Sequence, residues 1–303
     1  TARLVSLLPV GPDLQMGLCA FPISRTGRSF VNDFAVIQTR FETIALETMV
    51  DVLTVCGGMP HADARRVVRR SKGILGDRFT QKQAHAVWKE LTRQDYGVRV
   101  VPSDELPELP EPRTIRWFEI DNEQFCIPDG IRGETIPMDW ISVFVISVGQ
   151  IVEVNEKLVR ESKRRSNVFE KSAAIYLSEG PRYRKQNKLM DVVDLIGVDQ
   201  AGGLRYLRLP SHELAYDRIL GPGTELNRFE RFLVIIVFLI AHAEEAIISP
   251  NTRTVLVNRE PDTRMIEGEA IDLMQEESLQ TYNRWLLYQA ISREIDIEDS
   301  SMR

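Results

Sequence analysis

The stretch PSDELPELPEPR, Pro102 to Arg113, constrains this chain more than any other. It holds four prolines and four acidic residues and has no apolar periodicity. Each proline biases the residue before it away from helix, so extended backbone is expected here. We read 103–113 as a linker between two domains, 1–102 and 114–303. A length of 303 residues agrees, since a domain takes roughly 100–200 residues. The chain is 43% hydrophobic and 27% charged, as folded chains are, so each half has the material for a core.

The first half alternates strand and helix signals. FAVI within DFAVIQTRF, Asp33 to Phe41, reads as a strand. IALETMVDVLTVCGG carries Leu46, Met49, Val50 and Leu53 at helical spacing and closes on Gly57 and Gly58. PHADARRVVRRSKG opens on Pro60 and stops at Gly73, as a second helix would. TQKQAHAVWKELTRQDYG has Thr80 as N-cap and Ala84, Val87, Trp88 and Leu91 as its apolar face. VRVVP then returns to strand.

Across residues 33–102 this order resembles the C-terminal domain of the bacterial ribosomal stalk protein. The residues that carry the likeness are FAVI, GGMPHADARRVVRRS and TQKQAHAVWKEL followed by YGVRVV. The resemblance implies an α+β fold of three helices and three strands. It also implies that the region of the second helix makes the contact with translation GTPases. The family's Gly-Leu-Lys-Glu-Ala turn is here Gly58, Met59, Pro60, His61, Ala62, Asp63 and Ala64. Its dimerisation segment has no counterpart. The fold is therefore expected to carry over and the partner is not.

The second half is strand-rich: TIRWFEID, QFCIP, WISVFVISVGQIVEV, LMDVVDLIG and LRYLRLP hold β-branched and aromatic residues between turns. Two helices are expected at about 225–248 and 275–295. The fold class is thus α+β, with a pleckstrin-homology-like second domain as an analogy only. No repeat of fixed period is present.

The first of those helices holds the most apolar run, Phe232 to Ala241, ten residues long. A membrane span needs roughly 18 or more, and charges flank this run on both sides. On a helical wheel Phe229, Phe232, Leu233, Ile236, Ile240, Ala243 and Ile247 form a core face. Thr224 is the expected N-cap. Val234 and Phe238 fall among charged residues and need a second surface. That surface is either another helix of the same chain or a neighbouring subunit. In the C-terminal helix Leu279, Tyr282, Leu286 and Ala290 share a face, and Trp285, off it, is a candidate interface residue.

Motifs for chemistry are missing. GILGDR and GPGTEL lack both the Walker lysine and the GxGxxG spacing. The four histidines are scattered and give no metal-ligand pair, so neither metal nor cofactor is expected. Asp191 and Asp194 lie three apart on a strand, face opposite sides and read as solvent-facing or turn carboxylates. No serine sits in a nucleophile elbow. An enzyme is the least favoured reading, open only to a site assembled in three dimensions. The three cysteines form no CxxC, and Thr1 to Gly17 lacks a signal-peptide pattern, so a cytoplasmic protein with reduced thiols is expected.

Basic clusters are the remaining signal. Arg65, Arg66, Arg69 and Arg70 lie along one side of a helix, with Lys72 just beyond. Such a side can bind phosphates or an acidic protein, or simply face water. Lys163, Arg164, Arg165, Arg182, Arg184, Lys185 and Lys188 read as a basic loop or frayed helix. The net charge of −6 argues against nucleic acid as a default partner. A non-catalytic interaction or scaffold protein in a homo-oligomer or larger complex is the leading expectation. A nucleic-acid- or ribosome-associated protein using Arg65–Lys72 is the second, and an uncharacterised enzyme the third.

Overall fold

The computed structural model describes residues 33–40, 42–120, 124–129, 134–158, 183–222, 225–258 and 276–301. They form an α+β fold with strands β1 (Phe34–Gln38), β2 (Ile74–Phe79) and β3 (Val98–Pro102) and helices α1 (Leu46–Val55), α2 (His61–Arg70) and α3 (Gln81–Arg93) in the first lobe. The second lobe holds β4 (Arg113–Thr114), β5 (Glu119–Ile120), β6 (Gln124–Asp129), β7 (Glu134–Asp139), β8 (Val143–Leu158), β9 (Tyr183–Val198), β10 (Leu204–Pro210) and β11 (Ile247–Ile248). Its helices are α4 (Tyr216–Ile219), α5 (Arg228–His242), α6 (Pro250–Asn258) and α7 (Glu276–Ser301).

In the first lobe β1 lies between β2 and β3 and runs antiparallel to both. One face of that sheet meets α1–α3 through Val36, Leu75, Phe79, Val98, Val50, Leu53, Ala64 and Leu91. Thr80 caps α3 as expected, and Gln83 completes the capping box. The helix pattern alone passes over β2. Its six residues ILGDRF include Gly76 and an Arg78 at φ 59°, which break strand alternation.

The second lobe is built on a five-stranded sheet in the order β11-β8-β9-β10-β4. Both edge strands run parallel to their neighbours and the inner pairs are antiparallel. A separate antiparallel meander, β5-β6-β7, lies apart from it. These mixed pairings do not confirm a pleckstrin-homology-like arrangement. One sheet face and the meander share a core with α5: Ile146, Val148, Val193, Leu195, Leu207 and Leu209 meet Phe232, Ile235, Ile236 and Leu239. An aromatic file runs through it, Phe118–Phe125–Trp140–Phe238, with ring centroids 4.8, 5.5 and 6.1 Å apart.

The other face of the large sheet packs on α7, and so does the free face of the small sheet. Ala35, Ile37, Ile74 and Val101 from the first lobe join Val145, Ile196 and Tyr206 from the second around Tyr282, Trp285, Leu286 and Tyr288. The third side of α7 is closed by the Pro/acidic segment. Leu106 is buried there, and Arg284 Nε donates to Pro107 O at 2.7 Å. Residues 103–113 are extended in part, as the prolines require, but they begin in a 3-10 turn and end in β4. They are a fixed crossing between two lobes that share a core, not a loose tether.

Close approach sets the glycines at this helix. A Cβ on Gly149 would sit 2.8 Å from Leu279 Cδ1. Gly73, at φ +76°, would put a Cβ 2.3 Å from the Trp285 ring. Trp285 is 4% exposed, and its Nε1 donates to Gln38 O at 2.8 Å. As a subunit-interface residue Trp285 is thus corrected. The residue lies off the Leu279–Leu286 face because α7 has a second face to bury, and the first lobe covers it.

The apolar run also differs in detail. α5 is shorter than the expected 225–248, and Asn227, not Thr224, is its N-cap, with Glu230 completing a capping box. Thr224 lies outside the described residues. α7 begins where expected and continues past residue 295. Among the described residues no helix is long and apolar enough to cross a membrane.

Because α7 is common to both lobes, denaturant should unfold them together. Far-UV circular dichroism and tryptophan fluorescence should follow one transition, since Trp88 reports the first lobe and Trp117 and Trp140 the second. Trp285→Ala should cost about 3–5 kcal/mol in that transition. Two separated transitions in the parent protein would refute a shared core.

Candidate interaction surfaces

α2 is a shallow helix. It buries Ala64, half-buries Val67 and Val68, and leaves Arg65, Arg66, Arg69 and Arg70 exposed. Asp63 in the first turn and Arg69 and Arg70 in the last complement the helix dipole. Three of the arginines have carboxylate partners: Arg65 with Glu47 at 3.1 Å, Arg66 with Asp63 at 3.6 Å, and Arg70 with Glu277 at 2.5 Å. All six partners are exposed, so each pair is worth about 0–1 kcal/mol and yields readily to a competing anion. The Arg69 and Lys72 side chains have no ion-pair partner among the described residues. The C-terminal turn of α2 abuts α7, where Ser278 Oγ donates to Arg69 O at 3.4 Å.

On α5 the exposed apolar residues are Val234, at 41%, and Val237, at 53%. Ala241, one turn on, is exposed as well. Phe238 is half-buried and covered from within the chain. Its ring stacks on His242 at 3.9 Å and meets Trp140 edge-on at 6.1 Å. The pairing of Val234 with Phe238 as one surplus patch is therefore corrected: Phe238 belongs to the aromatic file, and Val237 takes its place beside Val234. The helical wheel missed this because ten successive apolar residues carry almost no phase information. The buried stripe is Phe232, Ile235, Ile236, Leu239 and Ala243, rotated from the expected one. Ile141, next to Trp140 in the chain, is 69% exposed.

The second basic cluster falls largely outside the described residues, including Lys163, Arg164, Arg165 and Arg182. Arg184, Lys185 and Lys188 are on β9, not in a loop or helix. There the β8–β9 register sets Lys188 opposite Glu153 and Lys185 opposite Glu156.

Asp194 gives the largest departure from expectation. It and Asp191 point to opposite sides of β9, but Asp194 faces α7 and is fully buried. Its Oδ1 accepts from Arg208 Nε at 2.8 Å. Its Oδ2 accepts from Tyr206 OH at 2.7 Å, Asn283 Nδ2 at 2.8 Å and Arg208 Nη2 at 3.0 Å. Arg208 Nη1 reaches Glu276 in the first turn of α7 at 2.8 Å. Burial disfavours the Arg208 charge, but Asp194 outweighs that and raises the pKa further. Burial and the Asp194 charge push the Tyr206 hydroxyl well up, so it stays protonated at neutral pH. The cluster ties α7 to the sheet through Asn283 and Glu276. Only a strand register and a distant helix bring these residues together, so no local motif could have revealed them. Among the described residues no group of three or more His, Cys, Asp or Glu is placed to hold a metal ion.

Structural and surface roles separate by stability. Asp194→Ala should cost about 3–5 kcal/mol in urea denaturation because it strands the buried Arg208 charge. Replacing Asp194 and Arg208 together with apolar residues should cost less. Arg69→Glu with Lys72→Glu should stay within about 0.5 kcal/mol of the parent. A large loss in that surface variant would mean that α2 is clamped rather than free.

No protein-family model, no curated protein and no solved structure matches this chain.

Proposed function

We propose that this protein is a non-catalytic protein-interaction module, a scaffold that assembles with itself or with a larger complex. The observation that carries this reading is the α5 surface. Val234, Val237 and Ala241 stand at helical spacing in water, on a helix whose other side is core. Stability does not call for apolar side chains there. The most reactive-looking polar cluster, around Asp194, is mostly buried and joins α7 to the sheet, which agrees with a role in packing. The first lobe, with its three helices and three strands, supports the stalk-like reading of residues 33–102 at the level of fold. Cys56 stands as a thiol, which suits a cytoplasmic setting.

The test is light scattering of the full chain across concentration, paired with affinity capture from its native host. Oligomers, or a reproducible partner, are expected, and Val234→Glu with Val237→Glu should lose them without lowering the melting temperature. A monomer that captures nothing, or capture indifferent to that variant, would end this reading.

The α2 face favours a second reading, a nucleic-acid- or ribosome-associated protein. Arg69 and Lys72 are unpaired among the described residues, and the ion pairs of Arg65, Arg66 and Arg70 are exposed. Binding to RNA should then fall steeply with salt, with a slope of roughly −0.7 per phosphate contacted. Arg66→Glu with Arg69→Glu should weaken it. Absence of RNA or DNA affinity at low salt would exclude it.

A further inference from the structure

We infer that the α5 stripe and the α2 arginine face are the two halves of one contact, made head to tail between copies of this chain. The inference rests on the reading of the stripe as a docking surface and names its occupant. The stripe has a definite charge frame. Glu230 stands at one end of Val234, Val237 and Ala241, and Glu244 and Glu245 at the other, all exposed. Glu244 and Glu245 have no ion-pair partner among the described residues. An occupant must therefore cover a short apolar strip and bring positive charge to its ends.

A second α5 does not meet that requirement. Antiparallel about a two-fold axis, it sets Glu230 against the other copy's Glu244 and Glu245. Parallel, it sets each acidic end against itself. Glu230 lies in line with Val234 and Val237, whereas Arg228 and Arg231 lie off that line, Arg231 paired with Asp217, so like charges oppose along the stripe either way. α2 does meet it. Arg65, Arg66, Arg69 and Arg70 line one exposed side, and Lys72 follows. Arginine stems lie along apolar surface while their guanidinium groups reach carboxylates, so these side chains can cover Val234 and Val237 and pair with the flanking glutamates at once. The two strips, Arg65 to Arg70 and Val234 to Ala241, are each under two helical turns long. The exposed pairs Arg65–Glu47, Arg66–Asp63 and Arg70–Glu277 are weak enough to exchange for the new ones. In a chain of net charge −6, α2 is a local cationic face that an acidic stripe on another copy can find. Because the two surfaces differ, each contact leaves one of each kind unused, and assembly continues to a ring or a filament.

Sedimentation velocity of the full chain tests this. Mass should rise with concentration and fall with added salt. Glu244→Lys with Glu245→Lys, and separately Arg66→Glu with Arg69→Glu, should each raise the dissociation constant at least about tenfold. An equimolar mixture of the two variants should recover association, because the intact α2 of one fits the intact α5 of the other and the two reversed faces are again opposite in charge. The fourfold variant carrying both reversals should recover association. Far-UV circular dichroism checks that every variant is folded. If only the α5 reversals change the mass, the contact is α5 on α5 and the inference is overturned. A melting temperature lowered by Val234→Glu in dilute monomer would show that the chain covers its own stripe, which also overturns it. A parent protein that stays monomeric overturns the inference alone if a partner is still captured through Val234 and Val237, and overturns the interaction reading too if none is.

Discussion

The rest of the structure depends on one helix being wanted by two sheets. From Ser278 to Ser292 no residue of α7 is exposed, since one sheet takes Trp285, the other takes Leu279 and Tyr282, and the proline-rich crossing covers Arg284. Neither lobe completes its core without it. The buried Asp194 cluster adds direction to that packing. Apolar contact alone would let the helix slide or rotate, whereas Asn283 and Glu276 meet Asp194 and Arg208 in one register only. Serving as a key for register is the best-attested use of a buried ion pair, and it suits a helix that must satisfy two surfaces at once.

This constraint also decides what is left for function. Side chains that look expressive in sequence, such as Trp285, Asp194 and Arg208, are consumed in joining the lobes. Exposed candidates lie on the outer sides of α5 and α2. The polar cluster is used in packing α7 on the sheet. The outer helices offer apolar and cationic strips that water tolerates but does not require. The proposed interaction role rests on those outer strips.

Much of the fold was legible locally. The capping box at Thr80, the helical spacing of Met49, Val50 and Leu53, and the strand runs QFCIP, WISVFVISVGQIVEV, LMDVVDLIG and LRYLRLP each carry their own signal within a few residues, whereas TIRWFEID is a strand only at its two ends and β7 was not read. β2 was not legible, because Gly76 and Arg78 interrupt its alternation. The phase of α5 was not legible either, since a uniformly apolar run has period without direction. Val237 was missed and Phe238 overrated for that reason alone. The arginines of α2 were read correctly as an exposed side, but their carboxylate partners Glu47 and Glu277 come from other helices.

Sequence by itself determined the α+β class and many element positions, since propensity, capping and periodicity act over a handful of neighbours. Tertiary structure alone decided that the residues on either side of the proline-rich segment share a core. It also decided that Asp194 is buried, and which apolar residues of α5 meet water. Those outcomes depend on contacts between residues up to about 250 positions apart, such as Trp285 with Gln38. No local pattern encodes which of two sheets a helix face will meet.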